Sequence, residues 1–331
     1  MAQEGMGNEV SVPRLTIIVV TYNSGAEIEA CLRSLSRTIK TLSFEVILVD
    51  NASQDDTVDR VRGSFSDVVI VQNSHNVGFP AANNQALRLA RSEYALLLNP
   101  DTVVHEGAVE QLVAVLERNP EVGVCGPQLV DAEGVLANDL RQPTFFRIVV
   151  NTLGLEAFTS RLLGPECQEA VSGAALMFRR SLVAKIGLLD EHMFWAEDGD
   201  FCLRAAEAGY RIWRVQSAVI THYVGRSTNS NLALYLKMQY ASRIRFLWKH
   251  GRPVEFWLAL PLFYFSLAMR TSKWCLQSVL RPSAEASVRV RAFLSLLLSM
   301  PRLFSEEARR TRALGPYDRG TGGGASYVGP G

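Results

Sequence analysis

Leu15-Thr16-Ile17-Ile18-Val19-Val20-Thr21 is an unbroken run of apolar and β-branched residues that ends in Tyr22-Asn23. A strand buried on both faces of a parallel sheet reads this way, because neither face needs polar residues. The period then changes. Ser24-Gly25-Ala26-Glu27 fits a capping box, and Ile28, Cys31, Leu32 and Leu35 recur at helical spacing. A second buried strand, Phe44-Glu45-Val46-Ile47-Leu48-Val49, ends at Asp50, and Ser53 is placed to cap another helix. Residues 68–71 read as a third strand, Pro80 suits the first turn of a helix to residue 90, residues 94–98 form a fourth strand and 106–117 a further helix. This alternation predicts an open α/β sheet.

After Pro127 the alternation weakens. Residues 131–172 carry turn signals and few periodic runs, which predicts a flexible excursion over a site. Order is expected again at 174–178, in a helix near 181–186 and at 200–207, with short strands at 210–215 and 218–221. No internal repeat is evident. Residues 320–331 are Gly-rich and expected to be disordered.

The 331 residues are long enough for one large domain with an appendage. Five cysteines are widely spaced with no CxxC pair, so neither a zinc site nor a disulfide framework is indicated. Reduced core thiols favour a cytosolic setting. Residues 1–8 are polar, and no secretory signal is expected from them.

The net charge of +1 hides an asymmetry. Residues 231–331 hold fifteen Lys/Arg and five Asp/Glu, a balance of +10, while the rest of the chain stands at −9. An acidic body with a basic tail points to an anionic surface as the tail's partner. Within the tail, residues 254–269 contain one acid, Glu255, and no base; residues 292–300 form a shorter apolar run. Sixteen residues fall short of the roughly 20 that span a bilayer. The expectation is an interfacial, partly inserted helical hairpin, with helices packed on the body as the alternative; the basic bias decides for the membrane.

Chemistry-bearing residues gather at element ends. In open α/β sheets, ligands bind beyond the carboxyl ends of strands. Thr21-Tyr22-Asn23 and Asp50-Asn51 stand at two such ends. Singly, each is better read as the start of a turn; together, three strand ends finishing in short polar residues favour a site. Asp50 can accept a hydrogen bond from a base ring, with Asn51 and Thr21 adding polar contacts. Asn76-Val77-Gly78-Phe79 precedes a helix beginning Pro80-Ala81-Ala82-Asn83-Asn84, where small residues and a helix N-terminus favour phosphate. Neither GxGxxG nor GxxxxGK[ST] occurs, which argues against nicotinamide enzymes and P-loop ATPases.

Asn99-Pro100-Asp101 closes the fourth strand, and Asp101 can coordinate Mg²⁺ or Mn²⁺. His222 ends a later strand and can join the same metal, although a lone His is more often structural. Further on, Phe194-Trp195-Ala196-Glu197-Asp198-Gly199-Asp200 concentrates three acids. Asp198, read as lying just before a helix, can act as general base toward a hydroxyl, while Asp200 is expected to pair with Arg204 at i+4. Trp195 and Phe194 offer an apolar wall or stacking face for a sugar.

These pieces resemble family 2 inverting glycosyltransferases of the GT-A fold. The resemblance rests on Val19-Val20-Thr21-Tyr22-Asn23, Val49-Asp50-Asn51-Ala52-Ser53, Asn76-Val77-Gly78-Phe79, Leu98-Asn99-Pro100-Asp101, Gly173-Ala174-Ala175, Glu197-Asp198 and His222-x-x-Gly-x-Ser, over about residues 14–250. Within the family the chain is most similar to bacterial rhamnosyltransferase-type enzymes of cell-surface polysaccharide assembly. The resemblance implies a Rossmann-like open mixed sheet flanked by helices, followed by a helical, membrane-associating extension. It implies a domain division of 1–13 tail, 14–230 catalytic domain, 231–314 helical extension and 315–331 disordered tail.

It implies roles as well. Thr21, Tyr22, Asn23, Asp50, Asn51, Gly78, Asn83, Asn99 and Asp101 would bind the nucleotide-sugar, with dTDP-rhamnose a candidate donor. Asp101 and His222 would hold a divalent cation, Mg²⁺ or Mn²⁺. Asp198 would be the catalytic base, with Trp195 and Glu197 at the acceptor. Asn99 replaces the first acid of the family's Asp-x-Asp signature and adds no charge, which weakens the expected metal affinity. The expected partners are a nucleotide-sugar donor, a glycan or lipid-linked saccharide acceptor and an anionic membrane surface, with no nucleic acid. The expected place is the cytoplasmic face of the cell membrane. Two rival readings are a polyprenyl-phosphate sugar synthase and a non-catalytic nucleotide-sugar-binding scaffold.

Overall fold

The computed structural model describes residues 12–136, 149–150, 170–223 and 232–313. The predicted excursion at 131–172 and the Gly-rich end lie largely or wholly outside them. The chain divides into two units, residues 1–143 with 156–235 and residues 144–155 with 236–331.

The first unit contains β1 (Leu15–Thr21), α1 (Ile28–Thr38), β2 (Phe44–Asp50), α2 (Thr57–Ser64), β3 (Val68–Gln72), α3 (Phe79–Leu89), β4 (Tyr94–Leu98), β5 (Thr102–Val104), α4 (Ala108–Arg118), β6 (Val122–Val130), β7 (Ala175–Arg179), α5 (Ser181–Ile186), α6 (Glu197–Glu207) and β8 (Arg211–His222). The strands form one sheet in the order β3-β2-β1-β4-β7-β6-β8-β5. β3, β2, β1 and β4 run parallel. β7 is antiparallel to both β4 and β6, β6 pairs parallel with β8, and β5 is antiparallel to β8. The sheet is therefore open and mixed.

Every residue of β1 is buried. Leu15, Ile17 and Val19 pack with the apolar faces of α1 and α4, while Ile18 packs on the other side with residues of α3, α5 and α6. Helices thus cover both faces, which is why this strand carries no alternation. The chain passes β1, β2, β3 outward and then returns to place β4 on β1's other side. Open α/β sheets bind ligands at such a reversal, beyond the carboxyl ends of the strands that flank it, here β1 and β4.

Several local expectations are corrected. Ser24 does not cap α1; its carbonyl accepts the amides of Glu27 and Ile28 in a separate turn, and Glu27 stands at the cap without a side-chain bond. Ser53 does not cap α2, whose cap is Asp56; its amide faces the Asp50 carboxylate instead. α4 begins at Ala108 rather than 106, because Gly107 takes a left-handed φ of 71°. The two strands expected at 210–215 and 218–221 are one, β8, continued through the polar Gln216-Ser217 by a register shift against β6 between Pro127 and Gln128.

Beyond β8, α7 (Leu232–His250), α8 (Pro253–Leu280) and α9 (Ala284–Ala313) make up the described end of the chain, and the second unit takes over from residue 236. Phe256, Ala259, Phe263 and Leu267 give α8 one buried face. Phe256 lies 5.2 Å from the Phe304 ring, and the Arg289 guanidinium sits 4.5 Å above the Trp274 ring, so α8 and α9 pair antiparallel. The apolar run 254–269 is the first part of a helix that continues to Leu280, stopping only before Arg281-Pro282. No helix among the described residues is long and apolar enough to cross a membrane.

Candidate active site

The tips of β1 and β2 form one hydrogen-bonded unit. Asp50 and Thr21 are almost fully buried. Thr21 Oγ1 donates to Asp50 Oδ1 at 3.3 Å, and the Ser53 amide reaches Asp50 Oδ2 at 3.2 Å. Asn51 donates its amide to the Thr21 carbonyl at 2.8 Å, and its side-chain Oδ1 accepts from Asn73 Nδ2 at 3.0 Å. Asn73 is tied in turn to Gln85 of α3. Asn23 spends its side-chain oxygen on the Gln54 amide at 2.7 Å, bridging the two strand-end loops. Tyr22 stands exposed beside it.

Among the described residues, three non-glycine residues have positive φ: Asn23 at 52°, Ala52 at 66° and Ala196 at 71°. The first two follow Thr21 and Asp50, and the third precedes Glu197-Asp198. Alanine in this region is strained, and strain of this kind concentrates at functional sites. Gly78, at φ 89°, occupies the cap of α3; its carbonyl accepts from Asn51 Nδ2 at 3.4 Å, joining the β2 tip to the helix. Asn83 on that helix is buried, with Nδ2 donating to Phe79 O at 2.9 Å and Oδ1 accepting nothing.

The second acidic element follows β4. The Asn99 amide donates to the Ala174 carbonyl, which pins this end of β4 against the start of β7. β5 brings Thr102 opposite His222 in the ladder, and the Tyr223 amide donates to Asp101 O at 2.9 Å. His222, at the end of the longest strand, is thereby held against Asp101. Its Nε2 lies 3.2 Å from Asp101 Oδ1 and 3.4 Å from Asn99 Nδ2. The approach to Asp101 lacks hydrogen-bond geometry, and that buried oxygen accepts no hydrogen bond. A carboxylate oxygen and an imidazole nitrogen facing each other without a bond fit a shared divalent cation.

The third element is the start of α6. Glu197 and Asp198 lie within its first turn, not before it as expected. Asp198 is buried, and its two oxygens accept the amides of Gly173 at 2.9 Å and Gly199 at 2.7 Å. Burial raises its pKa above the ordinary aspartate value, and those amide bonds oppose the rise. Glu197 titrates well above the usual carboxylate range, because of burial first and the neighbouring Asp198 charge second; its Oε2 has no hydrogen-bond partner. Asp200 is fully buried, and its Oδ2 receives Arg204 Nε and Nη2 at 2.9 and 2.8 Å. Trp195, half exposed, meets Tyr235 edge-on at 5.3 Å.

One edge of the sheet carries all three elements. Thr21 and Leu98 end neighbouring strands, and Gly173, just before antiparallel β7, hands Asp198 its amide at the same edge. Burial pushes the thiols of Cys31, Cys125 and Cys202 up to about 12, so none serves as a nucleophile.

Sequence reasoning paired Arg204 with Asp200 but passed over its other bonds and the asparagines that hold these groups in place. Asn84 of α3 donates to Leu189 O and Glu191 Oε1, both at 2.9 Å, and accepts from Leu189 N at 3.1 Å. Arg204 donates to the carbonyls of Ile186, Gly187 and Leu188. Together they clamp the segment that leads into Glu197-Asp198. Asn73 was missed too. The one signal in the sequence was the doublet Asn83-Asn84, whose second member points to structure rather than ligand.

Residues 16–185 match the protein-family model described as Glycosyl transferase family 2. Over 303 residues the chain is 28% identical to N-acetylglucosaminyl-diphospho-decaprenol L-rhamnosyltransferase of Mycobacterium tuberculosis, covering 83% of this chain and 97% of that protein. It is 26% identical over 215 residues to O-antigen chain rhamnosyltransferase WbaN of Salmonella anatum, covering 64% and 66% of the two chains. Mannosyltransferase PcManGT from Pyrobaculum calidifontis, solved with GDP-Man and Mn²⁺, superimposes with a TM-score of 0.55 at 19% identity, over 90% of this chain and 88% of that one. S. aureus TarS 1–349 with UDP-GlcNAc gives 0.52 at 18% identity, over 92% and 93%. These two likenesses show a common fold.

Proposed function

The chain belongs to glycosyl transferase family 2, and we propose that it moves a sugar, with inversion, from a nucleotide-sugar to a hydroxyl of a lipid-linked saccharide, using Asp198 as the base. That it is a nucleotide-sugar-dependent glycosyltransferase follows from its family and relatives. The observation that carries the mechanism is the Asp198 carboxylate, buried, held by two amides and standing at the same sheet edge as Asp101 and His222.

Asp198 takes the proton from the acceptor hydroxyl as that oxygen attacks the anomeric carbon. Its raised pKa makes it a stronger base than an exposed aspartate, and the amides of Gly173 and Gly199 fix its direction. Glu197 and Trp195 contact the acceptor. Thr21, Asp50 and Asn51 hold the base and ribose, with Tyr22 and Asn23 beside them, while Gly78, Asn83 and Asn99 line the path of the diphosphate and sugar. Asp101 and His222 would hold a divalent cation, Mg²⁺ or Mn²⁺, which offsets charge on the leaving diphosphate. Among the described residues no group of three or more His, Cys, Asp or Glu could hold a metal.

The names of two relatives support an L-rhamnosyl donor such as dTDP-rhamnose, a polyprenyl-diphosphate-linked acceptor and a place in cell-surface polysaccharide synthesis. Together with the +10 balance of residues 231–331 they also support peripheral association with the cytoplasmic face of the membrane. Domain limits of 14–230 for catalysis and 231–314 for the helical extension fit this division of labour.

The test is Asp198→Asn with labelled donor and a saccharide acceptor. Transfer is expected to fall roughly 10²–10⁴-fold, the usual contribution of a general base, while the donor still raises the melting temperature. Near-normal turnover with donor bound removes Asp198 from the mechanism.

A further inference from the structure

α8 carries a second apolar face that nothing among the described residues covers. Val254, Trp257, Leu258, Phe265, Met269 and Leu276 are each between 52% and 61% exposed. At 3.6 residues per turn they fall within a sector of about 120° on the helix. Phe256, Ala259, Phe263 and Leu267 lie on the opposite side, packed toward α7 and α9 through the Tyr240–Phe263, Trp248–Phe256 and Phe256–Phe304 ring contacts. The exposed stripe is about 33 Å long by the 1.5 Å rise per residue. It contains no charged residue. Lys273 flanks it and is exposed. The one acid of α8, Glu255, is spent on the Arg252 amide at the helix cap.

An apolar face this large on a helix marks a docking surface. Its charge setting selects the occupant. Residues 231–331 carry a balance of +10, so a second copy would bring like charge against like, whereas an anionic bilayer brings the opposite sign. This helix is not long and apolar enough to cross a membrane.

We propose that α8 lies flat in the headgroup region of an anionic membrane, with the Val254–Leu276 stripe inserted toward the acyl chains and Lys273 at phosphate level. This extends the peripheral-membrane reading by naming the face that makes the contact. Trp257 sits near one end of the stripe, where an indole suits the water–lipid boundary.

The test floats the full-length protein with vesicles of phosphatidylcholine plus phosphatidylglycerol, and with phosphatidylcholine alone. Neither donor nor acceptor is present, so the result stands apart from the role of Asp198. The wild type is expected to float with the anionic vesicles, less with the neutral ones, and less as salt is added. The triple variant Trp257→Glu, Phe265→Glu, Leu276→Glu changes exposed positions only. It should keep its melting temperature and lose vesicle binding at least about tenfold, which is about 1.4 kcal/mol. In a measurement that needs no charged variant, brominated acyl chains should quench tryptophan fluorescence, and Trp257→Phe should lose that quenching. Undiminished flotation of the triple variant, or quenching that survives Trp257→Phe, overturns the proposal. So does light scattering that shows a wild-type dimer split by the triple variant while flotation is unchanged.

Discussion

Asp198 and Asp200 lie two residues apart in the first turn of α6, and the protein uses them in opposite ways. Asp200 meets a buried guanidinium, and Arg204 uses its remaining donors on the carbonyls of Ile186, Gly187 and Leu188. Asp198 meets no cation among the described residues; it accepts two amides, and burial raises its pKa. A carboxylate neutralised by a guanidinium that holds it through two N–H groups is a structural tie, because its charge is already offset. A carboxylate held by amides alone keeps its direction and its appetite for a proton. Asp50 and Asp101 differ in another way. Asp50 collects bonds from Thr21 and Ser53, whereas Asp101 keeps a buried oxygen without a hydrogen bond beside His222.

Arg204→Met breaks the structural half of this contrast and has the largest expected effect. It takes the guanidinium away from a fully buried carboxylate, at a cost of about 3–5 kcal/mol, read by chemical denaturation. A loss no greater than that of Asp198→Asn would erase the distinction. Asn84→Ala removes three bonds to the segment before α6, and about 1–3 kcal/mol of stability is expected to go. Transfer should fall more than donor binding does, since the donor-side loops keep their own bonds; an equal fall in both would assign Asn84 to the donor.

The titration of the acidic turn comes next in size. Burial raises the folded-state pKa of both Glu197 and Asp198. A raised carboxyl pKa contributes stability that is present below the ordinary carboxylate range and is lost as pH rises through the raised value. Melting temperature should therefore decline as pH rises above that range, and Glu197→Gln should flatten the decline. Transfer should follow the opposite course, rising with pH as Asp198 ionises. A melting temperature that climbs across the same window would contradict the burial argument.

Gly173→Ala has the smallest expected effect on the fold. An added Cβ would lie 3.5 Å from Asp198 Oδ2 and 3.7 Å from the Phe79 ring, which is ordinary contact. The amide that orients Asp198 remains, so the melting temperature should hold. The methyl group nevertheless occupies the space beside the base, and transfer is expected to drop severalfold. Unchanged transfer would place the acceptor on the other side of the carboxylate.

Much of the sheet's first half was legible, because β1, β2 and β4 are buried on both faces and their apolar runs cannot be mistaken for surface. The second half was not. β7 inserts antiparallel between β4 and β6, and β6 finds β8 about ninety residues later in the chain; pairings of that kind leave no local period. β5, three residues long, gave no signal at all. The acids at the element ends were visible as Asp50, Asp101 and Asp198, and the Asp200–Arg204 pair followed from i,i+4 spacing. Asn73 and Asn84 were not visible, since their partners lie 22 and 105 residues away.

The amino-acid order by itself determined where the buried strands run, which positions carry acids and how unevenly charge divides between body and tail. These are local properties: a β-branched run or a count of lysines needs no neighbour to be read. Only the tertiary structure decided which carboxylates are spent and which stay available. Hydrogen-bond satisfaction and desolvation are set by groups that the fold brings from elsewhere, such as the Gly173 amide beside Asp198 and the His222 ring beside Asp101.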